Sequence, residues 1–281
     1  MFVEITFYSL SKNNLKELNI RYVVILALGI AVITVLLTIF LLQPPRKSIV
    51  EELYSVELSR SQIAFTYLGY SSVILRTSNF TIGIDVANML SEEDIRSVKI
   101  DFLVYTHIHG DHFNAATAEK IFEETGCVIA AEHSVYEALL GAIPAEKLIE
   151  LRGGETREIY LQAGKVTLKP VYGIHPVQIV VFMLEADGLR IFHGGDSGYV
   201  SSIKNLGYAD VAFLPTGDPS PSASPEDAEK MALDLAPKTI VLIHGSKTQH
   251  DTFTGRIGTS LSSSKVIPAE TGKVYVETLV S

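Results

Sequence analysis

The chain is poor in several residue types, and each scarcity narrows what it can be. It has one cysteine, Cys127, and no tryptophan among its 281 residues. A single cysteine excludes a disulfide framework within the chain. Cys127 lies in a short apolar strand pattern, Gly126-Cys-Val-Ile-Ala, which favours a buried structural thiol. The sequence also lacks a repeat of fixed period, and its 47% hydrophobic composition is enough for one sizeable core.

Positive charge is also scarce, and the deficit is confined to the larger part of the chain. Residues 1–48 carry five basic and two acidic residues, a net charge of +3. The rest carries 18 basic and 30 acidic residues, a net charge of −12. An acidic domain repels phosphate backbones unless a local basic patch overrides the field, and no such patch is apparent. The composition therefore counts against a nucleic-acid partner.

One stretch lacks charge altogether. Residues 22–42 read YVVILALGIAVITVLLTIFLL, and as a helix they would span roughly 31 Å, the thickness of a bilayer core. A cleaved signal peptide would have a shorter apolar region and a small-x-small cleavage site, and a buried core helix would have a polar face. The pattern therefore predicts an uncleaved single-pass membrane anchor within 1–48, followed by a second domain at 49–281.

The side of the membrane and the substrate follow only weakly from this anchor. The positive-inside rule leans towards an extracytoplasmic domain at 49–281, by a margin of one charge. Proximity to the membrane makes a lipid-like substrate attractive. The sequence does not indicate an oligomeric state.

Histidine is concentrated in one short segment. Three imidazoles and one carboxylate fall within six residues, directly after an apolar run that is typical of a buried strand: His107, His109, Asp111 and His112. These are ligands that Zn²⁺ prefers. Side chains two apart in an extended loop point the same way, so His107 and His109 can hold one metal together. The turn at Gly110 lets the other two face a second position, whereas a solvated polar loop would not need so many histidines.

Three further donors follow later apolar strands: His175, Asp196 and His244. In layered α/β folds, functional residues collect at strand ends. Each of the three alone would be interpreted as structural. Together, and in this order, they complete two metal sites with a bridging carboxylate.

Other polar residues near strand ends receive weaker interpretations. Asp85 ends an apolar strand and is interpreted as a structural, loop-orienting acceptor. His193 is expected to support the site at most, and His250 and His133 are interpreted as surface residues. Asp218 is expected to hydrogen-bond a ligand histidine, because such imidazoles usually need an outer partner.

These motifs resemble those of the metallo-β-lactamase superfamily, over about residues 62–280. The His-x-His-x-Asp-His motif of that family stands here at 107–112, and its later positions match His175, Asp196 and His244. The chain is similar to the compact branch of metal-dependent hydrolases related to the ascorbate-phosphate lactonase. The segments that carry this similarity are Phe192-His-Gly-Gly-Asp-Ser, Phe213-Leu-Pro-Thr-Gly-Asp and Pro225-Glu-Asp-Ala.

The resemblance implies an α/β fold, a four-layer αββα sandwich with its site at one sheet edge, here preceded by the predicted transmembrane helix. The chain departs from that branch at Tyr70, where such relatives often have histidine. A contact that the histidine would make to the site is therefore in question.

The resemblance also implies a binuclear metal-dependent hydrolase. One metal would be held by His107, His109 and His175, and the other by Asp111, His112 and His244, with Asp196 bridging. A metal-bridged hydroxide would cleave an ester, lactone, amide or phosphodiester bond. The catalytic residue would be Asp111, which would orient the hydroxide or carry a proton to the leaving group. Two Zn²⁺ ions are the default, and Mn²⁺ or Fe²⁺ suits the same ligands.

Two alternatives stay open. A membrane-tethered module could hold a structural metal without catalysis, although all seven ligand positions are filled. Residues 107–112, here called the histidine loop, include Gly110 and are also similar to the corresponding loop of the transfer-RNA 3′-processing endonucleases. A long inserted arm for gripping transfer RNA is not apparent in the sequence.

Overall fold

The computed structural model describes residues 22–35, 38 and 48–279. Contacts divide the chain into two units, Met1–Lys47 and Ser48–Ser281. In the first unit, residues 22–35 form a helix, α1. The prediction of domains at 1–48 and 49–281 stays a prediction.

The predicted membrane anchor is not supported. Across the described residues, no helix has the length and apolar character needed to cross a membrane. The predicted transmembrane span at 22–42 and the membrane localisation are therefore wrong on this finding. The remaining residues of that span, 36–37 and 39–42, lie outside the described part of the chain.

The second unit contains two seven-stranded sheets. The first sheet has the order β14-β1-β2-β3-β4-β5-β6, in which the pairs from β3 to β6 are parallel and the others antiparallel. Its strands are β1 (Gln62–Gly69), β2 (Ser72–Arg76), β3 (Thr81–Ile84), β4 (Phe102–Tyr105), β5 (Val128–Glu132), β6 (Leu148–Leu151) and β14 (Val274–Thr278).

The second sheet has the order β13-β12-β11-β10-β9-β8-β7, with parallel pairs from β10 to β13 and antiparallel pairs from β7 to β10. Its strands are β7 (Arg157–Leu161), β8 (Gly164–Tyr172), β9 (Val180–Ala186), β10 (Leu189–His193), β11 (Val211–Pro215), β12 (Thr239–Ile243) and β13 (Lys265–Pro268). Because β10, β11 and β12 run parallel, the segments after β10 and β12 leave the sheet at the same edge.

Helices cover the outer face of each sheet. Against the first sheet lie α2 (Ile49–Tyr54), α3 (Glu92–Ser97), α4 (Ala115–Thr125) and α5 (His133–Leu139). Against the second lie α6 (Pro225–Leu235), α7 (Lys247–Ile257) and a 3₁₀ turn at Ser201–Leu206. A further 3₁₀ turn, Ala145–Lys147, precedes β6.

The principal core lies between the two sheets, where alternate residues of buried strands point inwards. Phe65 and Phe102 of the first sheet and Phe182 and Phe213 of the second are fully buried there. The rings of Phe65 and Phe213 meet edge to face at 5.3 Å, which joins the sheets directly. The predicted α/β fold with two packed sheets is confirmed, and the helices outside them complete the four layers.

Candidate metal centre

The structure brings all seven predicted metal ligands to one place. The potential donor atoms form two groups, and within each group they lie within 4.8 Å of one another. One group is His107, His109, His175 and Asp196, and the other is Asp111, His112 and His244. Asp196 lies between the groups, because Oδ1 is 3.7 Å from Nε2 of His107 and Oδ2 is 3.6 Å from Nε2 of His112. Their role as ligands stays a prediction.

The histidine loop gets its shape from β4 and α4. It begins where β4 leaves the buried sheet, and the backbone N–H groups of His112 and Phe113 both donate to the carbonyl of His109. This tight turn reverses the chain at Gly110, so His112 points back towards His107, with ring centroids 4.0 Å apart. Asn114 then caps α4 by accepting from the N–H of Thr117, and the helix fixes the far end of the loop.

The buried carboxylate of Asp85, just after β3, orients His112. Nδ1 of His112 donates to Oδ2 of Asp85 at 2.8 Å, which leaves Nε2 free to bind a metal. The same carboxylate accepts from the backbone N–H and the hydroxyl of Thr106, each at 2.7 Å. Burial lowers the pKa of His112, but the hydrogen bond and charge of Asp85, with Asp196 and Asp111, outweigh it and raise the pKa.

Thr106 orients His107 in the same way. Because its hydroxyl donates to Asp85, the hydroxyl oxygen can accept from Nδ1 of His107, which lies 3.1 Å away. This arrangement places the proton on Nδ1 and leaves Nε2 of His107 with a free lone pair. One carboxylate therefore sets the tautomers of two neighbouring histidines.

Several buried donor atoms of the site have no hydrogen-bond partner in the described part of the chain: His107 Nε2, His175 Nδ1, Asp196 Oδ1 and His244 Nδ1. Pairs of ring nitrogens also face each other, at 3.0 Å for His175 and His109 and at 3.2 Å for His244 and His112. Buried polar atoms are normally satisfied, so a cluster of unpaired donors is costly unless a cation binds there. The residues present fit divalent metal ions.

The pKa values are those of donors buried without a counter-charge. Burial raises the pKa of Asp196 to about 7, partly opposed by the charge of His112. Burial, together with neighbouring histidines, lowers the pKa of His175 to about 4 and that of His244 to about 3. Neutral imidazoles are the form that binds metal, so burial keeps these histidines ready for it.

His244 is held in a left-handed backbone conformation, with φ of +40°. Its N–H donates to the carbonyl of Tyr70, and its own carbonyl accepts from the hydroxyl of Thr216 at 2.7 Å and from Nε2 of His250 at 3.3 Å. These bonds stabilise a conformation that few residues other than glycine adopt, and they set the direction of the imidazole.

His193 fixes the loop that carries Asp196. Its Nε2 donates to the carbonyl of Ser71 at 3.0 Å, and its Nδ1 accepts from the N–H of Gly195 at 3.1 Å. The hydroxyl of Ser71 donates to the carbonyl of Gly195, and Ser220 donates to that of Asp196. The ring of His193 is fully buried, and burial lowers its pKa to about 4.

The structure places the secondary residues differently from some sequence interpretations. The carbonyl of Asp218 accepts from the N–H of Gly245, and the side chain makes no hydrogen bond to a ligand histidine within residues 48–279. His250 contacts the backbone of His244 rather than lying on the surface, whereas His133 is exposed and pairs with Glu150.

Asp85 is a loop-orienting acceptor, as interpreted from the sequence, but sequence reasoning missed that the predicted ligand His112 is one of its partners. One signal could have indicated it. The parallel strands β3 and β4 both end at this edge, so the residue after β3 lies beside the start of the histidine loop.

The fold and the site define a class: a metal-dependent hydrolase of the metallo-β-lactamase type. Residues 64–244 match the family described as "Beta-lactamase superfamily domain". The metallohydrolase Igni18 from the archaeon Ignicoccus hospitalis has the same fold, with a TM-score of 0.63 and 22% identity over 77% of this chain and 98% of that one.

Curated relatives narrow the family. A UPF0173 metal-dependent hydrolase of Thermus thermophilus is 32% identical over 188 residues, which cover 63% of this chain and 81% of that protein. The UPF0173 metal-dependent hydrolase of Geobacillus thermodenitrificans is 32% identical over 194 residues, covering 64% and 84%. The chain belongs to the UPF0173 metal-dependent hydrolase family of the metallo-β-lactamase superfamily, and it is a metal-dependent hydrolase.

Proposed function

We propose that this hydrolase works with a binuclear metal centre, built from the two groups of donors, and that it acts on a small-molecule substrate. Zn²⁺ is the ion we propose, since imidazole and carboxylate are its usual ligands. The observation that carries the proposal is the position of Asp196, whose two oxygens face one donor group each. A carboxylate between two sets of nitrogen donors suits two ions better than one.

The bound ions would supply an activated water with a pKa near 7 and would polarise the bond to be cleaved. The protein's own residues orient the groups that would bind the ions. Asp85 and Thr106 hold His112 and His107 in the tautomers whose Nε2 atoms face the site. His193 fixes the loop of Asp196, so the bridging position is set before any ligand binds.

Asp111 is the candidate for proton transfer. Its side chain is 32% exposed, whereas that of Asp196 is 4% exposed, so Asp111 is the carboxylate of the site that contacts solvent. Its Oδ2 lies 3.6 Å from Nε2 of His112. At this place Oδ2 can take a proton from water and return it to the leaving group.

Metal content tests the binuclear centre directly. The full-length protein is purified without chelators, and bound metal is measured by mass spectrometry. We expect about two ions per chain in the parent. We expect a clear loss in Asp196→Asn and His109→Asn, because each removes a donor of the first group.

A matched control separates loss of the site from loss of a histidine. His133→Asn removes an exposed histidine outside the site and should keep about two ions. One tightly held ion in the folded parent would leave a mononuclear hydrolase and contradict the bridging role of Asp196. A folded parent that binds no metal would overturn the proposal.

A further inference from the structure

The turn between β1 and β2 holds a tyrosine in an unusual backbone conformation beside the metal centre. Tyr70 has φ of +53°, in the left-handed region that favours glycine or asparagine. Its side chain remains 41% exposed. A large aromatic residue at such a position points to a role for its side chain.

The backbone of this turn is fixed relative to the metal ligands. The carbonyl of Tyr70 accepts from the N–H of His244 at 3.1 Å and from the hydroxyl of Tyr67 at 2.9 Å. Ser71 is joined to the Asp196 loop through His193 and the carbonyl of Gly195. The position of Tyr70 is therefore set by the same elements that set Asp196 and His244.

None of these bonds needs the phenol ring, because Tyr70 takes part only through its backbone carbonyl and the others are made by Ser71. The ring lies with its centroid 5.8 Å from that of His244, tilted by 51°. Within residues 48–279 its hydroxyl has no hydrogen-bond partner. The partly exposed ring therefore presents an aromatic face and its hydroxyl to solvent beside His244.

In the described part of the chain, no lysine or arginine forms a salt bridge or hydrogen bond with a predicted metal ligand. The basic residue nearest in sequence to a ligand, Lys247, is largely exposed and pairs with Asp251. Phosphate groups are normally bound by arginine or lysine.

A cavity of about 320 Å³ adjoins the same site and is likewise uncharged. It shares His175 with the metal centre, and its other lining side chains are Tyr172, Pro176, Val177, Gln178 and Ile179. The loop that forms it is tied to the Asp196 loop, since the N–H of Ile174 donates to the hydroxyl of Ser197 at 2.8 Å. The lining of this cavity contains no aspartate, glutamate, lysine or arginine, so it offers no ion pair to a charged substrate group.

We propose, on the basis of the hydrolysis proposed above, that the substrate is an uncharged carboxylic ester and that Tyr70 determines specificity by contacting its apolar acyl group. In the reaction, the oxygen of water bonds to the acyl carbon, the acyl C–O bond breaks, and the departing alcohol takes up a proton. The products are a carboxylic acid and an alcohol, with no oxidant or reductant needed.

Binding of acyl hydroxamates tests this without turnover, because a hydroxamate chelates metal while its acyl chain occupies the substrate's place. Full-length Zn²⁺-loaded protein is titrated calorimetrically with acetohydroxamate and butyrohydroxamate. Two extra buried methylene groups should make butyrohydroxamate bind about tenfold more tightly to the parent. Tyr70→Asn and Tyr70→Gly, both of which suit a left-handed turn, should lose most of this preference at unchanged metal content.

Two further variants sharpen the test. Tyr70→Phe keeps the aromatic face and should keep the preference. Tyr160→Asn removes a tyrosine that is 75% exposed at the edge strand β7, and it should behave as the parent. An unchanged preference in both Tyr70→Asn and Tyr70→Gly, or its loss in Tyr70→Phe, would overturn the role of Tyr70.

Measuring hydrolysis of three substrates distinguishes a failure of the ester proposal from a failure of the proposed metal-dependent hydrolysis. We expect the parent to cleave 4-nitrophenyl butyrate faster than 4-nitrophenyl acetate, and either faster than bis(4-nitrophenyl) phosphate. Metal-dependent cleavage of the phosphate alone would keep the metallohydrolase and overturn the ester substrate. A metal-loaded parent that cleaves none of the three and binds neither hydroxamate would overturn both.

Discussion

Two buried aspartates at the ends of strands show how one residue type can serve two purposes. Asp85 follows β3 in the first sheet and Asp196 follows β10 in the second. As whole residues they are 0% and 3% exposed. Asp85 accepts hydrogen bonds from Thr106, twice, and from His112. Asp196 has an oxygen with no partner among the described residues and a pKa raised to about 7 by burial.

Both aspartates are buried, and they differ in whether their carboxylate oxygens accept hydrogen bonds. A buried carboxylate whose oxygens are occupied holds its neighbours in place and contributes to the stability of the fold. A buried carboxylate with an unpaired oxygen costs stability, and such a cost is typical of functional sites. Asp85 should therefore matter to the metal-free protein, and Asp196 to the metal-loaded one.

The largest effect is expected for Asp196→Asn. Loss of the proposed bridging carboxylate should lower ester hydrolysis about a thousandfold, since metal-centred stabilisation is worth several kcal/mol. The metal-free variant should be at least as stable as the metal-free parent at pH 8, because the parent must there bury an ionised carboxylate. Turnover assays and urea denaturation measure the two quantities. A variant with near-parental turnover would contradict the bridging role.

In contrast to Asp196→Asn, the variant Asp85→Asn should lower the stability of the metal-free protein as well as its affinity for metal. Metal affinity, measured by chelator competition, should fall about 10- to 100-fold because His112 loses its orienting partner. The metal-free protein should lose about 2–3 kcal/mol of unfolding free energy, since an amide NH₂ in place of Oδ2 cannot accept from the hydroxyl of Thr106 or from Nδ1 of His112. If metal-free Asp85→Asn is as stable as the parent, the distinction between the two aspartates fails.

The variant His193→Asn tests whether a buried, neutral His193 supports the loop that carries Asp196. The quantity compared is the pH dependence of the unfolding free energy. Burial lowers the pKa of His193 to about 4 in the folded chain, against about 6.5 when unfolded. Between these values the unfolded state binds more protons, so the free energy of unfolding falls as pH is lowered. From pH 7.5 to 5, metal-free parent should lose about 2 kcal/mol more than the variant. Equal pH dependence in urea denaturation of both proteins would rule this out.

The smallest effect is expected for Asp218→Asn. The side chain is exposed, and the contact near His244 is made by the carbonyl of Asp218, which the substitution keeps. Metal content and turnover should match the parent, and stability should change by less than about 0.5 kcal/mol. A marked loss of metal would restore the sequence-based expectation that this carboxylate supports a ligand histidine.

The sequence predicted more of the fold than of the contacts around the site. The 3.6-residue and two-residue patterns are local, so the helix Ala115–Thr125 and the buried strands could be predicted from neighbours in the chain. The proximity of Asp85 to His112, or of Ser71 to His193, depends on which strands pair, and no local pattern contains that information.

The uncharged run at 22–42 is a case in which a local pattern led to a wrong prediction. Hydropathy indicated a membrane span, but hydropathy reports what a helix could do and not how far the helix extends. Across the described residues, no helix has the length and apolar character of a membrane span. The ligand positions could be predicted for a different reason, because donors of one chemical type recurred at the ends of apolar runs.

The donors of the metal centre come from both sheets: 107–112 from the first, and His175, Asp196 and His244 from the second. Their separation along the chain means that the site cannot exist in a partly folded molecule with only one sheet formed. Metal uptake should therefore be a late event in folding, and its rate should report the docking of the two sheets rather than the formation of either. An ion retained after docking would slow their separation, so metal-loaded protein should resist unfolding kinetically as well as at equilibrium.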